Sequence, residues 1–227
     1  HLSGWKRVLE TSFPHMKGHY FALVDPQSNE IKAGLPVFEV RSFLTGNRLV
    51  SIPFATLCDP LISGKEDLDP LIGEAIRLLE QKKSSFLEIK TMNAVPLIDH
   101  SGLSRHCFFK HNYLELDQGI QAIWDNFNHR EKRNIKKAQK QNLSMKEARD
   151  ERDVASFYKL YAATRKRLGL PAQPCLFFKT LWDEFSSAGY ARILLASLDG
   201  EFMAGHFLLQ FNDRTSAEAV GWDINYK

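Results

Sequence analysis

Two widely separated stretches of this chain spell the same local structure. In one, Phe21-Ala22-Leu23-Val24-Asp25 leads through a turn into Ile31-Lys32-Ala33-Gly34-Leu35-Pro36-Val37-Phe38. In the other, Leu194-Leu195-Ala196-Ser197-Leu198-Asp199-Gly200 leads into Phe202-Met203-Ala204-Gly205-His206-Phe207-Leu208-Leu209. Each is an apolar strand, a turn, and a second strand that carries Ala-Gly near its start. Asp-Gly between two apolar runs is a strong hairpin signal. Two unrelated hairpins would also share such a dipeptide. The helices before each hairpin and the strand after it correspond as well, although the first copy has less helix. A repeat at this separation points to two copies of one α/β domain, since a solenoid repeats at a far shorter period.

The rest of the chain fills in that frame. Apolar spacing predicts helices over 2–13, 68–82, 153–168 and 177–187, and one long, strongly basic helix over 119–141. Asp153 is placed to cap the third of these, and Gly169 to end it. Strands are predicted over 20–24, 31–41, 48–54, 85–90, 107–116, 143–148, 191–198, 201–211 and 215–223. The expected fold class is α/β (α+β), with mixed, mostly antiparallel central sheets. The expected division is residues 1–118 and 119–227.

Composition limits the partners. A net charge of +3 is too mild to bind nucleic acid without a local patch. No apolar run approaches the roughly 20 residues of a membrane-spanning helix, and no signal peptide is visible. Three cysteines, widely spaced and odd in number, suit reduced thiols in a cytoplasm. His100, His106, Cys107 and His111 lie close together, but their spacing fits no zinc pattern, and no metal is expected. No cysteine has the context of a nucleophile, and no Walker or Rossmann glycine loop is present.

Strand, helices, then three antiparallel strands is the opening order of a GNAT domain, and four stretches make the likeness specific. They are Gly34-Leu35-Pro36 with Ser51-Ile52-Pro53-Phe54 and Asp59-Pro60-Leu61; the basic run 130–138; Arg167-Leu168-Gly169-Leu170-Pro171 with Pro174, Phe177 and Phe178; and 194–205. Together they resemble the FemAB-like acyl/aminoacyltransferases, which pair two GNAT-type domains. The resemblance implies that the second domain is cut off after its third central strand, before the strand and helix that complete the acyl-donor site. It implies a bacterial, cytoplasmic acyltransferase. Such an enzyme has no covalently bound cofactor and takes acyl-coenzyme A or aminoacyl-tRNA as co-substrate. Its acceptor is an amine of a peptidoglycan precursor or exopolysaccharide. DNA is not an expected partner, tRNA is an open one, and association with the inner membrane would be peripheral. A GNAT-like ligand-binding protein without catalysis is the alternative.

Several residues can carry such chemistry. On a helix, Arg130, Arg133, Lys137 and Lys140 share a face, with Lys136 beside them, and a face of this kind suits phosphate groups. A solvated surface helix would look the same. The resemblance adds Asn134 and expects Ile135 and Ala138 to pack inward. Gly205 lies on the strand that, by resemblance, supplies backbone hydrogen bonds to the acyl donor, and Trp222 lies near the substrate cleft. His206, Glu218 and Asp223 are the candidate proton acceptors. Glu218 and Asp223 have opposite parity, so a regular strand sends them to opposite faces.

Overall fold

The structure is a computed structural model that describes residues 2–92, 103–106 and 109–225. Cys107 and His100 lie outside these. The fold is mixed α/β, as expected, with two four-stranded sheets among the described residues. Packing divides the chain into two compact units. One is His1–Arg105, Gln173–Ala191 and Leu209–Glu218. The other is His106–Ala172, Arg192–Leu208 and Ala219–Lys227.

In the first unit, helix α1 (Gly4–Ser12) precedes a hairpin of β1 (Met16–Val24) and β2 (Ile31–Val40). Strand β3 (Arg48–Val50) pairs antiparallel with β2. Helix α2 (Leu68–Gln81) then returns the chain to β4 (Leu87–Glu88), which runs parallel to β3. The apolar stripe of α2 explains its place. Leu68, Leu71, Ile72, Ala75 and Leu78 form one core with Ala33, Leu35, Val37 and Leu49 of the sheet. Strand β3 is shorter than the predicted 48–54 because the chain leaves the sheet at Ser51. Phe54, just after Pro53, takes a left-handed φ of 63°, and its ring packs on Phe13 and Phe177 at 4.9 and 5.6 Å. A bulky residue at positive φ is strained, and the aromatic cluster holds it there.

Glu39 on β2 is 2% exposed. Arg41 Nε donates to it at 2.7 Å, and Lys82 Nζ and His19 Nε2 lie 3.5 and 3.7 Å away. Burial pushes the Glu39 carboxyl up, but the hydrogen bond from Arg41 and the charges of Lys82 and Arg41 outweigh it and leave it below its ordinary value. Burial lowers His19 more than Glu39 raises it.

In the second unit, the predicted basic helix is two helices. These are α3 (Ile120–Asn126) and α4 (His129–Gln139). The break is a capping box. Asn128 leaves the helical region (φ −69°, ψ 165°), accepts from Glu131 N–H at 3.0 Å, and gives its own N–H to the Glu131 carboxylate at 3.1 Å. Residues 109–116, predicted as strand, carry no regular structure. Strand β5 (Leu143–Glu147) leads to α5 (Glu151–Arg167). The cap of α5 is Asp150, not Asp153: its carboxylate accepts from the N–H groups of Arg152 and Asp153 at 2.9 and 3.0 Å. Asp153 instead turns back to bind Lys146 Nζ at 2.7 Å and Arg149 N–H at 2.9 Å. Burial raises this carboxyl, and those partners bring it below its usual range.

Helix α6 (Cys175–Phe185) packs with α1 in the first unit, where Trp5 meets Phe185 at 6.2 Å and Arg7 pairs with Glu184. The second sheet follows the order β5, β6 (Ala191–Leu198), β7 (Glu201–Phe211), β8 (Arg214–Trp222). Asp199 and Gly200, at φ 50° and 85°, make the two-residue hairpin turn read from the sequence. The two copies of the repeat bury opposite faces. Ala33, Leu35 and Val37 are buried in the first, Gly205 and Phe207 in the second. The first copy is covered by the helix that follows it, α2. In the second, Gly205 packs against α5, which precedes the hairpin.

Acid is expected to weaken the first unit through two groups of the same sign. The depressed Glu39 carboxyl contributes stability above its unfolded pKa and loses it as pH falls through the folded value. His19, held neutral by burial, opposes folding once pH drops below its unfolded value of about 6.5. Urea unfolding between neutral and mildly acidic pH should show stability falling, with Glu39→Gln flattening the acid limb. The same variant should cost about 2 kcal/mol at neutral pH, less than a fully buried pair because Arg41 and Lys82 reach solvent.

Candidate active site

In the second unit, helix and sheet meet without room for a side chain at Gly221 of β8. A Cβ built there would lie 2.3 Å from Tyr161 N and 2.5 Å from Leu160 C, both backbone atoms of α5. No side chain fits. The contact brings Thr164 of α5, 2% exposed, against the next residue of the strand. Trp222 N–H donates to Thr164 Oγ1 at 2.9 Å, and Thr164 Oγ1 donates to Trp222 O at 3.1 Å. One hydroxyl thus satisfies both backbone groups of the residue where β8 ends. The Arg167 guanidinium lies 4.6 Å from the centre of the Trp222 ring, a cation–π distance, and Nη1 is 3.4 Å from Trp222 O. Asp223, one residue past the strand, gives its N–H to Met203 O at 2.8 Å.

The sequence-predicted residues fall around this clasp unevenly. Trp222 is in it and Asp223 adjoins it. Gly205 serves packing on its buried face, since a Cβ there would lie 3.0 Å from both Leu195 Cδ2 and Phe157 Cδ2. His206, the next residue of β7, is exposed on the opposite face. Glu218 lies on β8 with its carboxylate accepting from Ser216 Oγ. Thr164 and Arg167 were missed as site residues. The only signal was Arg167 itself, in the Arg-Leu-Gly-Leu-Pro stretch, because a helix-to-strand contact leaves no local pattern.

The second feature of this unit is α4. None of its residues is buried, and only Lys132 and Ile135 are half-buried. Ala138, expected to pack inward, is exposed. His129, Lys132, Arg133, Lys136, Lys137 and Lys140 line one shallow surface depression. Arg130 and Asn134 are exposed outside it, and His129 and Lys132 join the predicted set. Lys132 Nζ donates to Asp125 O at 3.0 Å, and Lys136 Nζ sits 6.0 Å over the Trp124 ring. No acidic side chain pairs with Arg133, Lys137 or Lys140 among the described residues.

Other chemistry finds less support. Burial pushes the Cys58 thiol up to about 11, which keeps it protonated at neutral pH. Among the described residues no group of three His, Cys, Asp or Glu side chains could hold a metal, and no helix is long and apolar enough to cross a membrane.

Known proteins can now be set beside this geometry. Residues 126–227, from the end of α3 through the clasp, match the family of acetyltransferase (GNAT) domains. That part of the chain is similar to GNAT acetyltransferase domains. The whole fold is similar to the crystal structure of FemX, with a TM-score of 0.71 at 12% identity over 99% of this chain and 75% of that one. At that identity the likeness is one of fold, and the fold is the FemAB-like one that the motifs implied. A comparison with curated proteins finds no match.

The clasp generates a stability prediction. Gly221→Ala should cost more than about 3 kcal/mol, since backbone must move, and Thr164→Val about 1–2 kcal/mol for two lost hydrogen bonds. Thermal unfolding followed by circular dichroism checks both, and the order of the two effects is the result that matters.

Proposed function

We propose that this protein transfers an acyl group from acyl-coenzyme A to an amine of a cell-envelope precursor or polysaccharide, with the cationic face of α4 holding phosphate groups of a substrate. The tandem reading of the chain, 1–118 and 119–227, is supported by the strands of one sheet falling in each span. The observation that carries the substrate reading is the unpaired charge of α4 inside the GNAT-matched region. Arg133 with Lys137, Lys132 with Lys136, and Lys136 with Lys140 are like-charged neighbours four residues apart. Each such pair costs an isolated helix about 0.2–0.5 kcal/mol. A helix of this length with no buried face is marginal without support. Bound phosphate would relieve the repulsion by charge-assisted hydrogen bonds.

The reaction is attack of a neutral amine on the acyl carbonyl carbon. The C–N bond forms, the C–S bond breaks, the thiolate leaves, and the amine's proton passes to a nearby acceptor. His206 and Asp223 are the proton acceptors of this reading within the second unit, and Glu218, already engaged by Ser216, is the third. Alignment of the two substrates and backbone N–H groups aimed at the carbonyl oxygen would supply most of the acceleration.

Calorimetric titration with acetyl-coenzyme A tests the acyl donor. The expected result is saturable binding that Arg133→Ala and Lys137→Ala each weaken by about five- to tenfold, with the loss growing as salt is lowered. Binding that both variants leave unchanged would remove α4 from the site. Binding of an aminoacyl-tRNA analogue in place of the coenzyme would change the acyl donor to an aminoacyl ester. Binding of either without thiol or tRNA release in the presence of amines would make the protein a ligand carrier.

A further inference from the structure

The turn between β2 and β3 displays two apolar side chains that leave almost none of their surface buried. Phe43 is 103% exposed and Leu44 90%. The turn is held by its own hydrogen bonds. Thr45 N–H donates to Ser42 Oγ at 3.1 Å, Arg48 Nη1 donates to Thr45 Oγ1 at 2.9 Å, and Gly46 takes a φ of 74° that reverses the chain. It runs beside the turn after α2: Ser85 N–H donates to Asn47 O at 2.8 Å, and Leu49 N–H to Phe86 O at 2.9 Å. Phe86, in that neighbouring segment, is 47% exposed.

Cations surround the turn. Arg41 and Arg48 stand at the base of one turn and Lys82 and Lys83 on the other. Of the acids nearby, Glu39 is buried and already engaged by Arg41 and Lys82, and Glu80 is exposed a turn earlier on α2. The rim is net positive.

We propose that this tip is a membrane-docking element, in which Phe43 and Leu44 enter the interface of an anionic bilayer while Arg41, Arg48, Lys82 and Lys83 lie against lipid phosphates. A projecting Phe-Leu pair offers a protein partner no groove and no flat face, so such a partner would need a pocket of its own. A bilayer interface accepts a protruding apolar side chain without a preformed pocket, and its anionic surface attracts the cationic rim. This reading stands apart from the acyl-transfer site and from the charge of α4.

Co-sedimentation of the 227-residue chain with vesicles of phosphatidylglycerol and phosphatidylcholine tests it, against vesicles of phosphatidylcholine alone. The chain should bind the anionic vesicles more strongly, and added salt should weaken that binding. The double variant Phe43→Ser, Leu44→Ser should lower the partition by about tenfold or more, and Lys83→Glu should lower it less. Both changes are at exposed positions, so unchanged thermal unfolding shows that the fold is intact. Equal binding by the double variant and the parent would overturn the proposal, because α4 would then suffice to explain the attraction. Failure of the parent to bind anionic vesicles would overturn it as well. So would a dimer in sedimentation equilibrium that the double variant dissolves, which would assign the tip to a second copy of this chain.

Discussion

At Gly221 the backbones of α5 and β8 leave no room between them for a Cβ, and the hydroxyl of Thr164 closes the contact by bonding both polar groups of Trp222. The constraint is steric first: any Cβ at Gly221 would sit inside the helix. Hydrogen bonding follows from it, because a strand end pressed on a helix has lost water and needs partners for its N–H and C=O. Thr164 supplies both within one side chain, and Arg167, one turn on, covers the indole. The end of β8, where Trp222 and Asp223 stand, is thus fixed by α5.

Both units anchor lysine or arginine on a nearly buried carboxylate, and one helix departs from this. In the first, a nearly buried carboxylate, Glu39, gathers Arg41, Lys82 and His19 around itself. In the second, Asp153 does the same for Lys146. Helix α4 does neither. Its cations project to one side without acidic partners among the described residues, and it is held by a capping box, a lysine on a backbone carbonyl and a lysine over Trp124. A patch that repels itself is tolerated only weakly by folding, so it is the natural place to look for an anionic ligand.

The hairpins, the apolar stripe of α2 and the Asp-Gly turn were legible because each is set by residues near in sequence. The basic run was legible as helix, but its charge pattern masked Asn128 and Glu131, whose spacing is a capping signal. Asp153 was read as the cap of α5 although Asp150, three residues earlier, holds that place. Strand 48–54 ends early because Ile52 and Pro53 are buried in a loop instead of a ladder. The clasp was unreadable: Gly221 and Thr164 matter only because a helix crosses a strand there, and neither residue announces a partner far away in sequence. Ala33-Gly34 and Ala204-Gly205 exposed the repeat, yet the copies bury opposite faces, a difference that depends on which helix covers each sheet.

Hydrogen–deuterium exchange of the intact chain, with and without acetyl-coenzyme A, tests the central claim most directly. If α4 and the end of β8 form the acyl-donor side of the site, ligand should slow exchange over residues 129–140 and at 222–223, leaving β1 and β2 unchanged. Protection confined to the first sheet, or none in α4 at saturating ligand, would contradict it.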